Sequence, residues 1–243
     1  MVNAAHTVRL TERDEQIFRE HFACFRITTV EALQRAYWSD RTVDAAKKWT
    51  QRMRLGHYLL TGVLGDGRRF LYPTSTMAAQ AGLPRRIARP PKGYDLARLY
   101  GVLSFCCLGE TRYEKISSVE FHRRFEPLCA KNLDQSLYYV DTDFPDGRSP
   151  TGNRIGYLLI DAGARARQVV SRFRHVVSQR LNVPLWHQWM ERGRFILTVV
   201  TSDPDKQRQL REALAAIRQP VPFRVEVRED LRDVVPLRMT HAS

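Results

Sequence analysis

The side chains with the plainest chemical potential are basic and lie close together. In DRTVDAAKKWTQRMRL, from Asp40 to Leu55, one helix face carries Arg41, Lys47, Lys48, Gln51, Arg52 and Arg54, relieved only by Asp44. Cations in such a row neutralise phosphates, and Lys, Arg and Gln also hydrogen-bond to base edges in a DNA major groove. Arg68 and Arg69 follow just past a Gly65-Asp66-Gly67 turn, placed to clamp a phosphate backbone. The alternative is a solvated face of the kind any arginine-rich chain carries. GxSxG, HExxH and Walker patterns are absent, and Gly62 to Gly67 is turn chemistry because no helix starts after it. No cofactor and no metal-ligand set is expected.

These residues need a helix and a hairpin to position them. Thr42, Ala46, Trp49 and Met53 recur at i, i+4, i+7 and i+11, so they should dock the helix on a core, with Asp40 as its cap. After Gly56, GHYLLTGVLGDGRRFLYP leans to β formers on both sides of the turn, Tyr58–Leu64 and Arg68–Tyr72. Upstream, Thr11-Glu12-Arg13-Asp14 opens a first helix with Ile17, Phe18, His21 and Phe22 inward, and Thr28-Thr29-Val30-Glu31 opens a second. Three helices and a hairpin follow the plan of a winged helix-turn-helix, in which a basic helix enters the major groove and the hairpin lies along the backbone or minor groove.

Composition agrees with a polyanionic partner. The 243 residues carry a net charge of +13, with 43% hydrophobic and 27% charged residues, so the chain can build cores and is not disordered overall. Residues 1–92 hold 16 Lys and Arg against 8 Asp and Glu, which places more of the excess there. Only six of the 39 basic residues are lysine, a bias that base composition of the coding DNA also produces. Cys24, Cys106, Cys107 and Cys129 show no CxxC pairing and read as small buried hydrophobes of a reducing compartment. The N-terminus lacks an apolar signal region and no stretch reaches the roughly 18 apolar residues of a membrane span. A cytoplasmic, nucleoid-associated protein is expected.

Further along, three prolines and four basic residues between Gly82 and Gly93 mark a linker, and Tyr94–Leu108 is an apolar helix. Ser117-Ser118-Val119-Glu120 caps another helix. Ser136–Asp143 and Arg154–Asp161 are strand-like around the polar loop FPDGRSPTGN, followed by a helix over Arg165–Leu181, a strand over Phe195–Thr201, a helix over Pro204–Arg218 and a strand over Phe223–Val227. Trp186, His187, Trp189 and Met190 form an aromatic cluster suited to core or subunit packing. The fold class is therefore α+β: a winged helix-turn-helix over 1–82, a basic Pro-rich linker over 83–93, and a helical connector with a small mixed α/β sheet over 94–243.

In LTERDEQIF, ITTVEALQRAYW, the basic helix with its hairpin, IGYLLIDAGARARQVVSRFRHVV and GRFILTVVTSDPDKQRQLREAL, the chain resembles the replication-relaxation family of mobile-element and actinobacterial-type proteins. The resemblance implies an N-terminal winged helix and a C-terminal domain like the restriction endonucleases. A nuclease of that fold needs two acids on adjacent strands for Mg²⁺ and a lysine for the attacking water; the candidates are Asp141 or Asp143 with Asp161. The lysine position is Gly163 and the nearest base is Arg165, which does not readily give up a proton, so the implied site is degenerate. Asp161-Ala162-Gly163 also suits a strand end with a helix cap. The leading expectation is a sequence-specific binder of double-stranded DNA, a transcriptional regulator or an accessory replication or mobilisation factor, with a homodimer as its candidate assembly and without a membrane partner. The alternatives are a Mg²⁺-dependent nuclease or nickase and a non-catalytic assembly module.

Overall fold

The computed structural model describes residues 8–130, 133–141, 154–217 and 221–234. The chain is mixed α+β and divides into two compact units, Met1–Glu110 and Thr111–Ser243. In the first, α1 (Glu12–Phe25) begins in a full capping box: Asp14 N–H donates to the Thr11 hydroxyl, and Thr11 N–H donates to the Asp14 carboxylate. The Thr29 hydroxyl caps α2 (Val30–Tyr37) by accepting from Ala32 N–H. The basic helix, α3, spans Val43–Leu55; its N-cap is Thr42 and not Asp40, and no side chain caps it. Thr42 thus falls outside the helix and stays exposed, while Ala46, Trp49 and Met53 are buried as their spacing requires.

The hairpin pairs β1 (Leu59–Val63) with β2 (Arg69–Pro73). Its tip closes through Leu64 N–H to Arg68 C=O at 2.8 Å, and Gly67 supplies the left-handed φ of 84° that the turn needs. Between α1 and α2, Thr28 makes a two-way antiparallel bridge to Leu71 of β2, at 2.9 and 2.8 Å. His21, buried, shares a 2.8 Å hydrogen bond with that Thr28, which is the packed role its position implied. Phe18, Phe22, Leu33, Trp38, Trp49, Met53 and Leu71 gather into the core.

After α4 (Ser75–Gln80) the stretch expected to be a linker folds onto this core. Arg85–Ala88 forms a 3₁₀ turn whose Ile87 is buried among the core residues. The next helix, α5 (Gly93–Leu103), runs into a π turn over Ser104–Leu108. Polar ties secure the segment to the first unit: Arg26 pairs with Asp95 at 3.1 Å, Arg35 donates to Gly109 C=O at 2.7 Å, and Arg68 donates to the Tyr100 hydroxyl at 2.6 Å. The units consequently divide at 110/111, beyond the boundaries of 82 and 93 read from the proline-rich composition.

The second unit contains β3 (Glu114–Lys115), α6 (Ser118–Phe125), β4 (Tyr138–Asp141), β5 (Arg154–Ile160), α7 (Ala166–Leu181), α8 (Pro184–Glu191), β6 (Phe195–Thr201), α9 (Pro204–Ala215) and β7 (Phe223–Val227). The sheet runs β3-β4-β5-β6-β7, antiparallel through β5 and parallel from β5 to β7. The parallel pairs require helical crossovers, which α7 with α8 and then α9 supply. Trp186 and Met190 of the aromatic cluster enter the core, where the Trp186 indole donates to Leu128 C=O at 2.8 Å. Gly156 is fixed by a neighbour: a Cβ there would lie 2.0 Å from the Tyr139 ring, which crosses β5 to reach the Thr198 hydroxyl at 2.6 Å. Among the described residues no helix is long and apolar enough to cross a membrane.

Candidate nucleic-acid interface

The basic face of α3 is held from behind by one carboxylate. Asp14 is 2% exposed and accepts the Trp49 indole N–H at 2.7 Å and the Arg52 guanidinium at 2.5 Å, besides Thr11 N–H at 2.8 Å. Burial alone would raise this carboxyl, but the bonds from Thr11, Trp49 and Arg52 outweigh it and hold the group below the usual carboxylate range. Arg52 is therefore a tether between α3 and α1, with its side chain 39% exposed.

The remaining exposed positions of α3 are Asp44, Lys47, Lys48, Gln51, Arg54 and Leu55. On a helical projection they form one continuous arc, with Gln51 and Asp44 near its centre. Lys47 and Arg54 flank the centre on one side. On the other, Lys48 and Leu55 line a groove of about 440 Å³ with Val8, Gln51 and Arg52. Leu55 is 67% exposed, an apolar side chain set in a polar surface. Arg41 lies ahead of the helix, before its N-cap Thr42, and pairs loosely with Asp40 at 3.9 Å.

The two hairpin arginines differ. Arg69, at the start of β2 and opposite Val63, is exposed. Arg68 is folded back: its guanidinium pairs with Asp66, donates to the Tyr100 hydroxyl and lies 5.2 Å from the centre of the Tyr100 ring. Burial raises the Asp66 carboxyl, and the backbone and side-chain bonds to Arg68 with its charge together overcome it, so this acid too sits below its ordinary range. Nothing in the local sequence signals the Arg68–Tyr100 contact, since the partner lies 32 residues away.

The acids proposed from the family resemblance do not converge. Asp141 stands opposite Arg154 at the start of β5, whereas Asp161 follows the end of β5. Seven residues at about 3.3 Å each separate them by about 20 Å, and Mg²⁺ binds oxygen at about 2 Å, so one ion cannot touch both. Each carboxylate is already committed. Asp141 is fully buried and accepts two bonds from Arg154, at 2.9 and 2.7 Å, with Arg224 at 3.3 Å. Asp161 accepts Ala164 N–H at 2.9 Å and the Thr201 hydroxyl at 3.0 Å, and pairs with Lys206 at 2.5 Å. The lysine that spacing placed at position 163 is thus supplied beside Asp161 by α9, where no local pattern reveals it. Asp161 closes the turn before α7, whose N-cap is Arg165. Asp143 lies outside the described residues, and no cluster of metal-binding side chains occurs among the described ones.

No family model, no curated protein and no solved structure matches the chain, so the resemblance to the replication-relaxation family rests on its own residues.

Proposed function

We propose that the chain is a sequence-specific reader of double-stranded DNA, in the role of a transcriptional regulator or an accessory replication or mobilisation factor. The observation that carries the reading is the division of labour on α3. Trp49 and Arg52 fix its inner side to Asp14, and Lys47, Lys48, Gln51 and Arg54 are left outward on a rigid support. The order of helix, bridging residue, helix, helix and hairpin, with Thr28 paired to the return strand, supports a winged helix-turn-helix as its architecture. In this arrangement Gln51 is the base reader, suited to the paired donor and acceptor of adenine, and Leu55 offers an apolar contact to a thymine methyl. Lys47, Lys48, Arg54 and Arg69 neutralise phosphates, and Arg68 stiffens the hairpin.

The test is fluorescence anisotropy on two duplexes, one from the DNA upstream of the protein's own gene and one scrambled, across a salt series. A gap of about a thousandfold that persists at physiological salt is expected of a specific reader. Gln51→Ala should reduce that gap by roughly 5- to 150-fold, the equivalent of about 1–3 kcal/mol. Equal affinities that collapse together with salt would overturn the proposal, because only the phosphate contribution would remain. Binding as a homodimer to a two-fold site belongs to the same proposal, and the stoichiometry of the titration checks it.

A further inference from the structure

A second concentration of charge follows the hairpin, in the segment whose composition reads as a linker. Between Asp66 and Asp95 the sequence contains no other acid, yet Arg85, Arg86, Arg89 and Lys92 fall within eight residues of one another. All four are exposed, while Ile87 and Pro91 between them are buried. The 3₁₀ turn over Arg85–Ala88 packs beside α4 and β2, and Pro84, Pro90 and Pro91 restrict the backbone on either side of it. The cations therefore stand on a fixed support.

Arg26 draws this segment into a closed loop. It follows α1 with a φ of 60°, unusual for a residue with a Cβ, and its guanidinium donates to Arg86 C=O at 3.0 Å and to the Asp95 carboxylate at 3.1 Å. Two bonds from one planar fork hold those acceptors within about 8 Å of each other, so the chain leaves and returns at nearly the same place. Four cations are thereby gathered into a compact patch. Asp95 does not neutralise them, because Arg26 and Arg98 share it at 3.1 and 3.4 Å. Among the described residues no acid pairs with Arg85, Arg86, Arg89 or Lys92.

Two features separate the patch from an ordinary solvated face. Arg19 on α1, Arg123 on α6 and Arg208 on α9 each have an acid three or four residues away, and these four cations have none. Lys92 is moreover the N-cap of α5, which no side chain caps, so a cation stands at the positive end of a helix. Both arrangements raise the electrostatic energy of the free protein, and a bound anion relieves them. Because the loop is already ordered, binding forfeits little backbone freedom.

We infer that the loop over 85–92 is a phosphate-binding site, its ligand a phosphodiester of a bound duplex or a free phosphate group. It shares no residue with α3 and rests on charge and backbone geometry alone, so it stands or falls apart from the reading of bases.

The test uses the full chain. Arg85→Gln, Arg89→Gln and Lys92→Gln are combined in one variant, and Arg85→Lys with Arg89→Lys in a second, with circular dichroism as the control for folding. Arg86 is kept, because its backbone holds Arg26. Affinity for a duplex of arbitrary sequence, about 30 base pairs long, is measured between about 50 and 300 mM salt. In parallel, thermal unfolding is followed in millimolar inorganic phosphate and in chloride of equal ionic strength. If DNA supplies the phosphate, the Gln variant flattens the slope of log K against log salt by about 2 to 3 and binds roughly 10- to 100-fold more weakly at physiological salt. The Lys variant then keeps the slope, and the same flattening appears on a background of Lys47→Ala with Lys48→Ala. If the ligand is a free phosphate group, the slope stays, and inorganic phosphate raises the melting temperature of the wild type and the Lys variant but not of the Gln variant. An unchanged slope with no phosphate-dependent shift overturns the inference. Equal loss in the Gln and Lys variants overturns it as well, since charge would then not be what binds. Neither arm depends on sequence preference, so a failure of the reading by α3 is seen separately.

Discussion

Replacing Asp14 by alanine removes an acceptor that three donors share, and the cost can be built from the partners one at a time. The Trp49 indole is buried, at 6% exposure, and its N–H would have no acceptor, which costs about 1–3 kcal/mol. Thr11 N–H loses the reciprocal half of the capping box, worth on the order of 0.5–1 kcal/mol. Arg52 reaches water once released, so its share is at most about 1 kcal/mol. About 3 kcal/mol is expected in urea unfolding at pH 7, and roughly half of that for Asp14→Asn, which still offers the indole an acceptor. The pH dependence fixes the sign. The folded carboxyl is held below its ordinary range, so its stabilisation is complete above the unfolded value of about 3.9 and is lost as pH falls through the folded one. The gap between wild type and Asp14→Ala should therefore be constant from pH 5 to 8 and shrink below about pH 4. The variant should also bind duplex DNA more weakly, because α3 loses its support. A destabilisation under about 0.5 kcal/mol would refute the tether.

Two predictions concern the second unit. Gly156→Ala should destabilise by about 3 kcal/mol or more in urea unfolding, since the new methyl meets the Tyr139 ring, and Tyr139→Ala in the same chain should recover part of that loss. Asp141→Ala should cost on the order of 3–5 kcal/mol because it leaves Arg154, 8% exposed, without its counter-charge; added Mg²⁺ should not change the wild-type melting temperature through this residue, which calorimetry with and without the ion will check.

Local physics made much of the fold legible. Thr11, Thr29 and Ser117 accept N–H bonds from their own helices, and caps of this kind are visible over three residues. The strand over Phe195–Thr201 has the bounds its apolar run gave, as does Phe223–Val227. The failures share a cause in tertiary contact. Asp40 and Thr42 are both good caps, and only packing of Ala46, Trp49 and Met53 decides which residue begins the helix. The segment from Gly82 to Gly93 has the composition of a linker, yet Ile87 and Pro91 are buried, and Ile87 packs into the core.

The candidate interface shows the same limit in its charges. Counting basic residues treated Arg52 and Arg68 as equals of Lys47 and Arg69, but an arginine is equally good at joining elements of its own fold. Asp14 engages Arg52, and Asp66 with Tyr100 engages Arg68. The apparent concentration of charge in the N-terminal region also changes once the chain is divided at 110/111, between its two compact units. Residues 1–110 hold 17 basic against 10 acidic side chains and the remainder 22 against 16, so the excess is nearly equal between the units. What separates an interface from a basic composition is where the acids are. Asp14 reaches behind α3 to pin Trp49 and Arg52, Asp44 on the outer face pairs with Lys47 at 3.5 Å, and Lys48, Gln51 and Arg54 face outward beside them.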